Sequence, residues 1–184
     1  MDVRELMEKY PEEFKKIGAI FYSLNRIDIH LVTVLSSFFI DESQLDSEKN
    51  FILNDALWDD KIFPSMENRR MLMIKTIEDI ARVAKEKAVV FRPDGFLSIC
   101  ASIGKVQKIR NKLAHQRLLF PGDGNVTYRV RKSPDERLQK ISPGTLKEIC
   151  INLDKELEFA ETVIIEAQRL HSEFLPLARK IQKG

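Results

Sequence analysis

Residues 11–39, PEEFKKIGAIFYSLNRIDIHLVTVLSSFF, decide the fold class of this chain. Pro11 suits a first helical turn, because its fixed φ is already helical and its missing N–H would find no partner there. Ile17, Phe21, Leu24, Leu31, Leu35 and Phe38 then recur at spacings that place them on one helical face. The pattern predicts one helix from about Pro11 to about Phe39. So long an apolar face holds only if other helices cover it. At position 28 the stripe calls for an apolar side chain, and the chain supplies Asp28.

Working outward, Ser65-Met66-Glu67-Asn68 reads as a helix start with Ser65 as N-cap. The helix is expected to run from Met66 to Phe91, with Met73, Ile77, Ile80 and Ala84 inward. Pro93-Asp94-Gly95 interrupts it. A further helix from near Gly95 turns Phe96, Ile99, Cys100, Ile103, Val106, Arg110 and Leu113 inward. Pro121-Gly122-Asp123-Gly124 stops that run. Residues Val126 to Arg131 alternate as a strand does, and Leu138 to Ile141 are expected to pair with them across Ser133-Pro134-Asp135-Glu136. Ser142-Pro143 opens the last long helix, to about His171. Asp41 to Lys49 reads as a polar connection, and Phe51 to Phe63 leaves room for a short helix around Ile52 to Leu57. The expected fold is all-α: a four- to five-helix bundle with a small β-hairpin inserted before the last long helix. Residues 1–184 form a single domain in this reading, without repeats or linkers.

Composition narrows the class. With 43% hydrophobic and 32% charged residues, the chain is neither disordered nor membrane-embedded. The apolar run from Leu31 to Ile40 is short and broken by Thr33, Ser36 and Ser37, so no bilayer span and no membrane partner are expected. The acidic start of the chain gives no export signal, which points to the cytoplasm. Cys100 and Cys150 form neither a metal spacing nor a disulfide framework, and no metal or cofactor is implied. Charge is uneven. From Lys105 to Lys140 ten cations face three acids, so +7 lies in a chain whose net charge is +2. That block fits a polyanionic ligand, or a solvated helix end with a charged hairpin.

At the centre of the basic block stands Arg110-Asn111-Lys112-Leu113-Ala114-His115. It combines a permanent cation that forks toward phosphate oxygens with an imidazole that titrates near neutrality. Arg110 occupies a core slot, where an unpaired charge is too costly to bury. It therefore needs a carboxylate, a cavity or a partner surface. Asp28 makes the same departure on the first helix, and the two are expected to meet, with Asp28 orienting Arg110 or forming a structural ion pair. Asn111 and His115 share one face, whereas Arg110 is turned about 100° from Asn111. A site using both Arg110 and His115 needs a reaching Arg, a frayed helix end or a second subunit. Other polar residues read more plainly. His30 belongs with Ser23, Arg26, Thr33 and Ser37 on a polar face, and His171 faces solvent; Tyr128 reads as a cross-strand packing residue ahead of one that stacks a base, and Trp58 beside Asp59 and Asp60 as an aromatic packed at a helix end ahead of a binding loop.

These six residues resemble the Arg-x(4–6)-His motif of HEPN domains (higher eukaryotes and prokaryotes nucleotide-binding), in its fuller form with Asn after the Arg and Leu-Ala before the His. The order of helices over residues 11 to 175 resembles that family's bundle. Many HEPN proteins are metal-independent endoribonucleases that act as dimers, as toxins or in defence and RNA processing. The resemblance implies that Arg110 stabilises charge on phosphate, Asn111 positions phosphate or imidazole, and His115 acts as general base or acid. Lys108, Lys112 and Arg117 would attract the RNA backbone. It also implies a homodimer and a cognate antitoxin or nucleotidyltransferase as partner. One branch of the family carries Tyr two residues after the His, where this chain has Arg117. Many members are noncatalytic, so a helical regulator, an antitoxin or a nucleotide- or nucleic-acid-binding dimerisation module is the alternative; regulators resembling the mannitol repressor family share this size.

Overall fold

The computed structural model describes residues 2–39, 65–131 and 146–183. Its elements are α1 (Val3–Lys9), α2 (Pro11–Phe39), α3 (Met66–Glu86), α4 (Asp94–His115), β1 (Leu118–Leu119), β2 (Asn125–Arg131), β3 (Leu146–Asn152) and α5 (Leu153–Arg169). A π-helical turn (Leu170–Phe174) joins α5 to α6 (Leu175–Lys183). The chain is mostly helical, with a small antiparallel sheet of order β1-β2-β3 before the last long helix.

Two clusters of buried side chains hold the elements. The larger gathers Ile27, Leu31 and Leu35 of α2, Met73, Ile77 and Ile80 of α3, Ile99, Ile103 and Val106 of α4, and Val163, Leu170 and Phe174 of the last helical run. The smaller joins Ile17 and Ile20 of α2 to Leu113, Val126, Tyr128, Ile151 and Leu153. Leu113 belongs to this second cluster, so the sheet clamps the end of α4 that carries the Arg/His motif.

α2 spans the expected residues, but its buried face is broader than one stripe. Ile20, Ile27, Leu31, Val34 and Leu35 are fully buried, while Phe21, Leu24 and Phe38 sit half-buried on the flank. The reason is that α2 packs against α5 as well as against α3 and α4. Ser23, expected on the polar face, is therefore buried, and His30 is half-buried.

Two boundaries differ from expectation. α3 ends at Glu86 rather than Phe91, because Ala88 turns into the left-handed region at φ 54°. The Lys87 ammonium then donates to the carbonyls of Ile181 at 2.9 Å and Gln182 at 3.0 Å, satisfying the open end of α6. The last helix begins at Leu153, not near Ser142. Residues 146–152 are instead β3, paired with all seven residues of β2 from Asn125↔Asn152 to Arg131↔Leu146. Ile149 and Ile151 face inward between exposed Glu148 and Cys150, a period of two. Among the described residues β2 thus has β3 on one side and β1 on the other. The predicted segments Asp41 to Lys49, Phe51 to Phe63 with Trp58, and Ser133 to Pro143 lie outside the described residues.

Asn152 is the true cap of α5, its side chain accepting from the Lys155 N–H at 2.9 Å. Asn152→Ala is expected to cost about 1 kcal/mol, as caps of this kind do. Chemical denaturation checks this; an unchanged midpoint would show that the sheet alone sets the helix start.

Candidate functional site

The last turns of α4 carry the motif. The helix is continuous through His115, and the Gln116 N–H still donates to the Lys112 carbonyl at 3.0 Å. A frayed end before His115 is thereby removed from the alternatives. At 100° per residue, Arg110 and His115 point about 140° apart.

Arg110 is half-buried. Its guanidinium lies 5.6 Å from the centre of the Phe21 ring and donates from Nη1 to Asn111 Oδ1 at 3.2 Å. The aromatic face supplies the electron-rich surface that a desolvated cation needs. Arg110 and Asn111 open into a cavity of about 490 Å³, shared with Gln107 of α4, with Phe21, Leu24, Asn25 and Asp28 of α2, and with Ser65 and Met66 at the start of α3. A volume of this order falls in the range of small-ligand sites.

Asp28 and Arg110 therefore line one cavity, but the described ion pair of Asp28 is with Arg69, at 3.5 Å from Oδ1 to Nε. Arg69 is buried, at 5% exposure. Asp28 thus balances Arg69, a buried cation on α3 not among the residues expected inward, while sharing the cavity wall with Arg110. The signal was present, since Arg69 stands four residues before Met73 on the inward stripe of α3. It is the same departure that marked Arg110.

His115 is exposed and does not line the cavity, although it lies on the Asn111 face of α4. The structure thus joins Arg110, Asn111 and Asp28 and leaves His115 one turn beyond. Lys108 lines a neighbouring cavity, whereas Lys112 and Arg117 are exposed and line neither. Tyr128 is buried in the smaller cluster, so it packs rather than stacks a ligand. Burial pushes the Cys100 thiol up to about 12, which keeps it inert. Among the described residues no group of three or more His, Cys, Asp or Glu is placed to hold a metal ion, and no helix is long and apolar enough to cross a membrane.

Burial, then the positive charge of Arg26 and then His171, hold His30 below its ordinary value of 6.5. The folded state resists this proton, so the unfolded chain binds it first as pH falls. The stability His30 contributes is full above pH 6.5 and is lost as pH drops through that value toward the lower folded one. His30→Gln is expected to flatten the acid side of the stability curve; an unaltered slope below pH 6.5 would place the acid sensitivity elsewhere.

No family model, curated protein or solved structure gives a significant match to this chain.

Proposed function

We propose that this protein is an HEPN-like, metal-independent endoribonuclease of the toxin, defence or RNA-processing type. The observation that carries the reading is Arg110 beside Asn111, opening into a nucleotide-sized cavity at the end of α4. In the proposed step the ribose 2′-oxygen attacks the adjacent phosphorus and its proton passes to a base. The bond from phosphorus to the 5′-oxygen breaks, and that oxygen takes up a proton. The products are a 2′,3′-cyclic phosphate and a 5′-hydroxyl. Arg110 would offset the charge on the phosphoryl oxygens, Asn111 would hold phosphate or imidazole, and His115 would move one of the two protons. A homodimer would bring His115 of one subunit to the Arg110 of another, which suits their divergence on a continuous helix. A cognate antitoxin or nucleotidyltransferase and a cytoplasmic setting belong to the same proposal.

The position of His115 outside the cavity favours a second reading: a noncatalytic regulator, antitoxin or nucleotide- or nucleic-acid-binding dimerisation module. Incubating end-labelled RNA with the protein and excess chelator separates the two. Fragments ending in cyclic phosphate are expected from the enzyme. RNA bound and recovered intact would replace the enzyme by the binding module.

A further inference from the structure

The cavity beside Arg110 continues past Asn111. Gln107 and Asn111 line it on one side and, on the other, line a second cavity of about 610 Å³ between α3 and α4. Ala101 and Gly104 form the small-residue part of that wall, and Glu67, Arg70, Lys105 and Lys108 complete it.

Arg70 is built into this wall. A Cβ on Gly104 would sit 3.4 Å from its Cζ and Nε, so the bare glycine lets the guanidinium lie close against α4. Glu67 accepts from Arg70 Nε at 2.8 Å and from Nη2, and Nη1 reaches the Cys100 carbonyl at 3.4 Å. The hydrogen bond from Arg70, with the nearby charges of Arg70 and Lys108, holds the Glu67 carboxyl below its ordinary range. Glu67 is thus ionised at neutral pH. Arg70, Lys105 and Lys108 against Glu67 leave two net positive charges, carried by the exposed Lys105 and Lys108. From Ala101 to Asn111 the helix rises about 15 Å, long enough for more than one nucleotide.

We propose that this groove is an RNA-backbone subsite, in which Lys105 and Lys108 bind phosphates of the single strand flanking the one held at Arg110. The proposal rests on the RNA reading of the Arg110 cavity and extends it to the path of the strand. Two features favour RNA over an acidic peptide. The amides of Gln107 and Asn111 offer donors and acceptors where the two cavities meet, and the groove leads to the Phe21 ring and Arg110 plane. Planar groups of that kind suit the faces of nucleobases.

The test uses the full chain carrying His115→Ala, so that bound RNA stays intact, and a fluorescent twelve-nucleotide single-stranded RNA as probe. Adding Lys105→Gln and Lys108→Gln is expected to weaken binding roughly tenfold at low salt. It should also flatten the plot of log affinity against log salt by about 1.4, at about 0.7 per single-strand phosphate contact. Both lysines are exposed, so circular dichroism should be unchanged. Lys15→Gln with Lys180→Gln, two exposed lysines on α2 and α6, removes the same charge elsewhere. No RNA binding, unchanged affinity, or an equal loss in this control overturns the subsite. An equal dependence on Lys105 and Lys108 for a polyglutamate peptide of matched charge overturns the RNA assignment in favour of an acidic protein partner. Failure of the wild type to cut RNA is a separate result: it removes the nuclease and leaves groove-dependent binding standing.

Discussion

Phe174→Ala is expected to lower folding stability by about 3–5 kcal/mol, since Phe174 is the bulkiest fully buried side chain among the described residues. Phe174 is fully buried in the π-helical turn between α5 and α6. Its ring meets Phe96 in the first turn of α4 at 5.3 Å between centroids, and Phe38 at the end of α2 and Phe91 before α4 at 6.4 Å each. One truncation therefore opens a cavity where three segments converge, and neighbours anchored on different helices cannot all move in to fill it. Domains of ordinary stability have only about 5–15 kcal/mol in total. Urea denaturation should show a lower midpoint with an unchanged slope, and Phe174→Leu should fall between wild type and Ala. A loss for the alanine variant below about 1 kcal/mol would show that the aromatic cluster repacks freely. The motif should be spared in the folded fraction, because Phe96 and Arg110 stand about 21 Å apart along α4.

None of the four-ring cluster was legible as a cluster, though each Phe was visible. Which rings meet depends on helix crossings, and those follow from side-chain volumes on several helices at once. Local signals fared better. Pro11 set the start of α2 and Ser65 that of α3, because a cap or a fixed φ acts within one turn. The alternation of Val126 to Arg131 identified β2 for the same reason. The failure at β3 has a specific cause. Leu146, Ile149, Leu153 and Leu157 fit helical spacing, while Ile149 and Ile151 also fit a strand, so periodicity gave two answers. Pairing with β2, a long-range event, decided between them. At the site, two charges in apolar stripes were readable at Asp28 and Arg110, and a third at Arg69 carried the same signature. Which cation meets Asp28 depends on how α2 and α3 slide past each other, and no local spacing records that.

Under the proposed nuclease function, Arg110→Ala and His115→Ala are each expected to reduce RNA cleavage by about 10²–10⁴-fold, the scale of losing a phosphate-stabilising cation or a proton-transfer group. Neither should change stability greatly: His115 is exposed and Arg110 half-buried. The more telling result comes from mixing the two inactive proteins under conditions of subunit exchange. On the continuous α4 the two side chains diverge by about 140°, and His115 lies outside the cavity holding Arg110. If a two-fold dimer builds each site from Arg110 of one subunit and His115 of the other, a mixed dimer has one site with both groups and one with neither. Half the dimers in an equal mixture are mixed, so activity should return to roughly a quarter of wild type. A site contained within one chain predicts no recovery, because every chain in the mixture lacks one of the two groups. Recovery would explain why a helix that keeps Arg110 and His115 so far apart around its axis can still serve one reaction. Absence of recovery, with each variant inactive alone, would require the Arg110 side chain to leave Phe21 and reach around α4 toward His115.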